Sequence, residues 1–260
     1  MKTNYHTHTY RCGHAEPDER AYIECAIRAG FDVLGFADHS PQIYPEGYSS
    51  GIRMSPEGTA EYVSTLAALK EEYRDRIELC IGFETEYYPS LFQKLLTHLE
   101  PFPYDYLILG QHSLGDEIGE PYMGAAFDDE RTLTRYVDQC TEAMETGAFS
   151  YFAHPDLPRF TGSKDFYRTE MRRLCRAAVG CNVPLEFNLS GFGAGIWYPS
   201  PILWEEATAV GAVAILGWDA HQAAFLTDSH VEALAIERLN TLGIKRIDRL
   251  DLIRPHPKNA

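Results

Sequence analysis

The sequence predicts an α/β protein built as a distorted seven-stranded (β/α)7 TIM-like barrel, and three observations lead there. Apolar, β-prone runs alternate with helical periodicity seven times along 260 residues, the pattern of a parallel sheet with helical crossovers. In six of the seven units a histidine or carboxylate stands at the carboxyl end of the strand, the end where closed barrels gather their active-site residues. An open doubly wound sheet would instead concentrate such residues at one crevice and would not recruit nearly every strand.

Residues 3–8 read as the first strand, with His6 and His8 two apart and so on one face. Glu16-Pro17-Asp18-Glu19 opens a helix with proline and acidic residues in its first turn, and Gly30 ends it. The second strand, 32–37, meets Asp38-His39 at a Ser-Pro turn. The stretch 40–54, rich in Pro, Gly, Ser and Tyr, reads as a long loop, either a lid over a site or irregular packing. Ser55-Pro56 looks like a cap and first position of a helix reaching about Tyr73. The third strand, 77–83, delivers Glu84 and, on the same face, Glu86. A helix over 90–99 and a fourth strand over 104–109 lead to His112. A helix over 128–146 is closed by Gly147, and the fifth strand, 149–153, ends at His154-Pro155. Helix 164–179, strand 183–187, helix 201–210 and strand 212–216 follow, the last ending at Asp219-Ala220-His221. Asp228-Ser229 caps a final helix through Leu242. With no repeat, linker or low-complexity stretch, residues 1–260 read as one domain, with 253–260 a loose tail.

Composition narrows the function. Hydrophobic residues at 45% and charged residues at 23% are ordinary globular values. A formal net charge of -15 argues against nucleic acid as a partner, because phosphate neutralisation needs clustered Lys and Arg. No apolar run reaches the length of a membrane span, and Met1-Lys2-Thr3-Asn4 leads into polar residues with no signal-peptide core, so a cytoplasmic location is expected. The six cysteines form no Cys-x-x-Cys pair and read as buried thiols, with Cys12 alone beside the histidine cluster.

Nine side chains carry the chemistry: His6, His8, His14, His39, Glu84, His112, His154, Asp219 and His221. Imidazole and carboxylate donors suit zinc, manganese or iron and not the oxygen-only cages of calcium. A carboxylate bridges two ions where an imidazole does not, so Glu84 is the natural bridge, and two ions about 3.5–4 Å apart would hold a hydroxide as nucleophile near neutral pH. A single histidine after a strand is ordinarily a satisfied core or loop residue. Seven of the ten histidines sharing one topological position are not, whereas His98, His230 and His256 fall elsewhere.

The ordered set His6-x-His8, Arg11-Cys12-Gly13-His14-Ala15, Asp38-His39-Ser40, Gly82-Phe83-Glu84, Gly110-Gln111-His112, His154-Pro155-Asp156, Glu186-Phe187-Asn188 and Asp219-Ala220-His221 resembles the polymerase and histidinol phosphatase (PHP) superfamily, in its histidinol-phosphatase-type branch. The resemblance covers nearly the whole chain and implies three divalent transition-metal ions. His6, His8, Glu84 and Asp219 would hold the first; Glu84, His112 and His154 the second; His14, His39 and His221 the third. Glu84 and Asp219 are then the catalytic carboxylates, and Arg159 resembles a phosphate-contacting arginine of that branch. Two features depart from the pattern. The stretch 190–195 carries no arginine where the branch usually has one, and Trp218 stands before Asp219 where serine is common. The implied activity is hydrolysis of a small phosphorylated metabolite, L-histidinol phosphate first, by a hydroxide held between metals. A PHP phosphoesterase on a phosphodiester, sugar phosphate or phosphotyrosyl peptide is the alternative, and a non-catalytic metal-binding regulator is a third reading.

Overall fold

The computed structural model describes residues 1–16 and 18–257. The chain runs β1 (Thr3–Asn4), α1 (Glu19–Arg28), β2 (Val33–His39), α2 (Thr59–Tyr73), β3 (Glu78–Thr85), α3 (Phe92–Leu99), β4 (Tyr106–Leu109), α4 (Glu130–Glu145), α5 (Lys164–Cys181), β5 (Leu185–Asn188), α6 (Leu189–Ala194), α7 (Pro201–Val210), β6 (Val213–Gly217), α8 (Ser229–Leu242) and β7 (Lys245–Arg246). Helices start where a short polar side chain accepts from the free N–H groups of the first turn. Asp18, Asp129, Ser163 and Asp228 do this for α1, α4, α5 and α8. Pro17, expected in the first turn of α1, lies outside the described residues. Ser55 makes no such cap; Pro56–Gly58 forms a 3-10 turn ahead of α2.

The strands make two parallel sheets, in the orders β1-β2-β3-β4 and β5-β6-β7. Phe152 bridges in parallel to Leu109 at the end of β4 and to Leu185 at the start of β5, and Thr7 bridges to Ala220 beyond β6. The fold is thus mixed α/β with a curled parallel sheet. The expected fifth strand, 149–153, is reduced to these single bridges. Its neighbour Pro184 accepts from Phe152 at 2.9 Å but has no N–H to return, and the backbone turns at His154, whose φ is 32°. The arginine-free stretch after β5 is the short helix α6, started by Asn188, whose side chain accepts from the Gly191 N–H.

Alternation along the strands sorts the core. Leu79, Ile81, Phe83, Leu107 and Leu109 pack outward against the helices. Cys80, Tyr106, Ile108 and Tyr151 point inward and form a floor. Tyr106 fills this floor because Gly35 and Gly82 leave it room, and its hydroxyl donates to the Tyr5 and Phe36 carbonyls at 2.7 and 3.2 Å. Above the floor the inward positions become polar.

The tail expected to be loose is tied down over 253–255. The Ile253 N–H donates to Ser150 Oγ at 2.8 Å, Arg254 to the Glu100 and Phe102 carbonyls at 3.1 and 2.9 Å, and Tyr104 to the Pro255 carbonyl at 3.1 Å. Polar groups at the amino ends of the strands need partners, and the tail supplies them. Residues 258–260 of that expected tail lie outside the described residues. Among the described residues no helix is long and apolar enough to cross a membrane.

Candidate metal centre

The site begins with Asn4, fully buried at the end of β1. Its Oδ1 accepts from the His6 and Trp218 N–H groups at 3.1 and 3.0 Å, and its Nδ2 donates to the His6 carbonyl and Thr7 Oγ1 at 3.0 and 2.8 Å. One side chain therefore fixes the bend that aims His6 and ties it to the turn bearing Asp219. Trp218 packs beneath the site, edge-on to Phe31 and Phe225, and so does not shape the cavity wall. His154 and Asp219 sit at φ 32° and 48°, a region costly for residues with a Cβ and typically retained where function requires it.

Glu84 lies at the middle, and its two oxygens face different partners. Oε2 is 3.0 Å from His39 Nδ1, 3.4 Å from His8 Nε2 and 3.6 Å from His6 Nε2. Oε1 is 2.7 Å from His154 Nε2 and 3.5 Å from His112 Nε2. Asp219 Oδ1 stands 3.2 Å from His8 Nε2 and 3.5 Å from His6 Nε2. A third knot joins His14, His39 and His221, whose donor atoms lie within 4.8 Å of one another. Eight of the nine expected donors thus line one cavity of about 530 Å3, and the ninth, His6, is grouped with Glu84, His154, His8 and Asp219. Gly110 and Gly217 make this possible, since a Cβ on either would overlap the Glu84 or Glu186 carboxylate.

Outer partners orient the rings. Glu186 Oε2 is 2.9 Å from His6 Nδ1, Glu86 Oε1 is 2.9 Å from His112 Nδ1, and the Cys12 and Asp219 carbonyls lie 2.8 and 3.1 Å from Nδ1 of His14 and His221. Holding Nδ1 on an acceptor leaves Nε2 with its lone pair toward the centre, the usual device behind metal-binding imidazoles. Asn188 Nδ2 donates to Glu186 and Asp219 at 2.7 and 3.2 Å. His221 Nε2 is buried without a hydrogen-bond partner, and His39 Nδ1 has only the Glu84 Oε2 contact at 3.0 Å, which is not aligned as a hydrogen bond. Imidazole and carboxylate donor atoms converging this closely fit a divalent cation, and the donor set fits the transition metals named above.

The electrostatics give this fit a measurable sign. Burial opposes charge on His6, but Glu186, Asp219 and Glu84 raise it to about 10. Burial likewise opposes protonation of His8 and His154, and neighbouring carboxylates, Asp219 and Asp38 for one and Glu84 for the other, raise both. Glu84 and Asp219, which burial alone would raise, are held well below the usual carboxylate range by the imidazoles. The metal-free centre thus carries imidazolium protons at neutral pH. Zinc added in weak buffer at pH 7 is expected to release more than one proton per chain, with apparent affinity falling as pH falls. Without metal, the contribution of His6 to stability is complete below its unfolded value of 6.5 and lost as pH rises through about 10. A pH indicator that reports no proton release would contradict this account.

Cys12 is buried against the knot, donating to the Thr9 carbonyl at 3.1 Å and grouped with His8 and His221. Of the expected site residues, His6 and Arg159 are outside the cavity lining, His6 beneath it among the other donors and Arg159 beside it. Arg159 is exposed, with its guanidinium 5.0 Å from the Trp197 ring centre and two residues beyond Leu157, which does line the cavity. Arg11, of the motif that carries His14, is taken by Glu61 at 2.7 Å and by Glu19. Sequence reasoning gave no role to Glu186 and Asn188, although their i, i+2 spacing on β5 was the available signal. It missed Arg53 and Glu117 altogether.

The PHP domain family matches residues 4–190. A probable histidinol-phosphatase of Deinococcus radiodurans is 30% identical over 223 residues, covering 84% of this chain and 85% of the relative. The histidinol-phosphatase of Bacillus subtilis is 26% identical over 260 residues, covering 86% and 94%. Among solved structures, the histidinol phosphate phosphatase of Lactococcus lactis, complexed with zinc, L-histidinol and phosphate, superposes with a TM-score of 0.73 at 21% identity, covering 96% of this chain and 98% of its own.

Proposed function

The chain belongs to the PHP domain family, and on that premise we propose that it is a metal-dependent phosphatase hydrolysing L-histidinol phosphate to L-histidinol and phosphate. The observation that carries the reading is Glu84, whose two oxygens face separate imidazole sets, as a carboxylate shared by two cations would. The curled sheet is read as a seven-stranded ring of β1 to β4, 149–153, β5 and β6, formed by one domain over the whole chain, with 149–153 as its irregular fifth member, the Thr7–Ala220 bridge as its closure and β7 an added short strand beside β6. Three ions of zinc, manganese or iron would be held by His6, His8, Glu84 and Asp219, by Glu84, His112 and His154, and by His14, His39 and His221.

Such ions, when bound, supply Lewis acidity and a hydroxide nucleophile at neutral pH. The chain's own part is to hold the donors dry and aligned: Glu186, Glu86 and the Asn4 bend fix ring orientation, and the floor beneath excludes bulk water. Among the described residues no arginine or lysine lines the cavity, while Glu117 and Glu120 do, paired with Arg53 and Arg135, so the lining carries no cation to repel a phosphate ester whose far end is cationic, as histidinol is. Arg159 is read as a cation at the mouth, recruited off Trp197 by the incoming phosphate.

One kinetic comparison tests the reading. Metal-replete protein should hydrolyse L-histidinol phosphate in preference to sugar phosphates, phosphodiesters and phosphotyrosyl peptides, and a chelator should abolish turnover reversibly. Arg159→Ala should raise KM at least as much as it lowers kcat, because a contact formed in the ground state is lost from both states. Preference for another ester class would reassign the substrate within the family. No turnover of any phosphoester by metal-replete protein would refute the catalytic reading.

A further inference from the structure

A phosphoryl group entering this cavity meets no guanidinium or ammonium in its lining, yet its oxygens need donors once water is displaced. Two tyrosines on the wall are free to serve. Tyr122 and Tyr198 both line the cavity, and neither hydroxyl has a hydrogen-bond partner among the described residues. Each is built onto the segment that follows a donor histidine of the Glu84 Oε1 side. Tyr122 pairs with Ser113 in an antiparallel bridge, and the next N–H, of Met123, donates to the His112 carbonyl at 2.8 Å. Tyr198 is stitched to the segment after His154: Trp197 Nε1 donates to the Leu157 carbonyl at 2.7 Å, and Ser200 N–H donates to the buried Asp156. The Tyr198 ring stands 6.2 Å from that of His154 and lies over Gly191, where any Cβ would collide with it. Both phenols belong to the lining of the one cavity that Glu84, His112 and His154 also line, and both feel Asp219.

We propose that the Tyr122 and Tyr198 hydroxyls are the phosphoryl-binding donors of this site, holding non-bridging oxygens of the substrate over the half of the centre made by Glu84, His112 and His154. Burial raises both phenols above their ordinary value of 10, which keeps them protonated donors across the working pH range. This rests on the phosphatase reading, and the test separates the two.

Inorganic phosphate is titrated calorimetrically into metal-loaded wild type, Tyr122→Phe, Tyr198→Phe and the double variant, with metal content measured on each sample. Removing a hydrogen bond to a charged oxygen is expected to weaken phosphate binding about tenfold or more per hydroxyl, with the double variant weaker than either. Metal content and melting temperature should not move, because the rings remain and the hydroxyls have no partner in the protein. kcat/KM should fall to a similar extent on histidinol phosphate and on an aryl phosphate, since non-bridging oxygens are common to both. Phosphate affinity within twofold of wild type in both single variants overturns the proposal. So does a loss confined to histidinol phosphate with phosphate affinity intact, which would place a hydroxyl on the leaving oxygen instead. If wild type fails to turn over histidinol phosphate, the substrate reading falls while the phosphate titration still decides the role of the tyrosines.

Discussion

Glu84→Ala is expected to lower kcat/KM on histidinol phosphate by at least about three orders of magnitude, roughly 4 kcal/mol of transition-state stabilisation. The reason is its divided carboxylate. One oxygen faces His6, His8 and His39, and the other faces His112 and His154, so on the proposed reading truncation would take a donor from two ion positions at once. Metal content after growth in metal-rich medium should therefore fall by more than one ion per chain. Glu84→Gln keeps the shape and one acceptor oxygen but loses the charge, and should fall between wild type and Ala. Elemental analysis and kinetics on the same preparations check this. A Glu84→Ala protein with full metal content and activity within tenfold of wild type would remove Glu84 from its bridging role.

What the sequence disclosed, and what it did not, follows from which residues obey a period. Glu84, Asp219 and the histidines stand just beyond apolar runs with a period of two, and the side chains they carry have few structural uses there. His6 and His8 show the rule plainly, although only Thr3–Asn4 of their expected strand is regular, because Asn4 bends the chain to aim them. The regular strands around them were legible for the same reason, since outward Leu79, Ile81 and Phe83 alternate with inward Cys80, Gly82 and Glu84. The 149–153 run was legible by its apolar content, but not its irregularity, which follows from the donor that its neighbour Pro184 lacks. β7 was invisible because two exposed residues, Lys245 and Arg246, carry no pattern. Arg159 stands out in the sequence by its place shortly after His154, and the turn after His154 sets its guanidinium against Trp197 at the side of the cavity. Loops hid the rest: Arg53 and Glu117 meet across 64 positions of sequence, and nothing in either local stretch announces the other.

Arg53→Met is expected to destabilise the protein by about 3–5 kcal/mol, the usual cost of removing one partner from a buried ion pair. Arg53 is nearly inaccessible, and its guanidinium reaches Glu86 at 2.6 and 3.0 Å and Glu117 at 2.7 Å. Glu86 in turn orients His112 through the 2.9 Å contact to Nδ1. Glu117 adopts φ 72°, a strained conformation for a residue with a Cβ, and is held there by Arg53 and by the Tyr44, Tyr48 and Tyr88 hydroxyls. Gln42 Nε2 donates to the Glu86 carbonyl at 2.9 Å, so the 40–54 loop is clamped to the centre as a wall of the cavity. Burial would raise the Glu86 carboxyl, but Arg53 and His112 hold it well below its ordinary value of 4.5. Its contribution is therefore complete above that unfolded value and lost only as pH falls through the lowered folded one. Loss of the clamp frees Glu86 from its fixed position and should weaken metal binding or activity by about 10- to 100-fold, as disturbance of a metal-orienting carboxylate commonly does. Adding Glu86→Gln and Glu117→Gln to Arg53→Met removes the stranded charges and should restore much of the stability but only part of the activity. Denaturant unfolding of the metal-free proteins, paired with metal titration, separates the two effects. An Arg53→Met protein that unfolds like wild type would show that the two carboxylates need no buried cation.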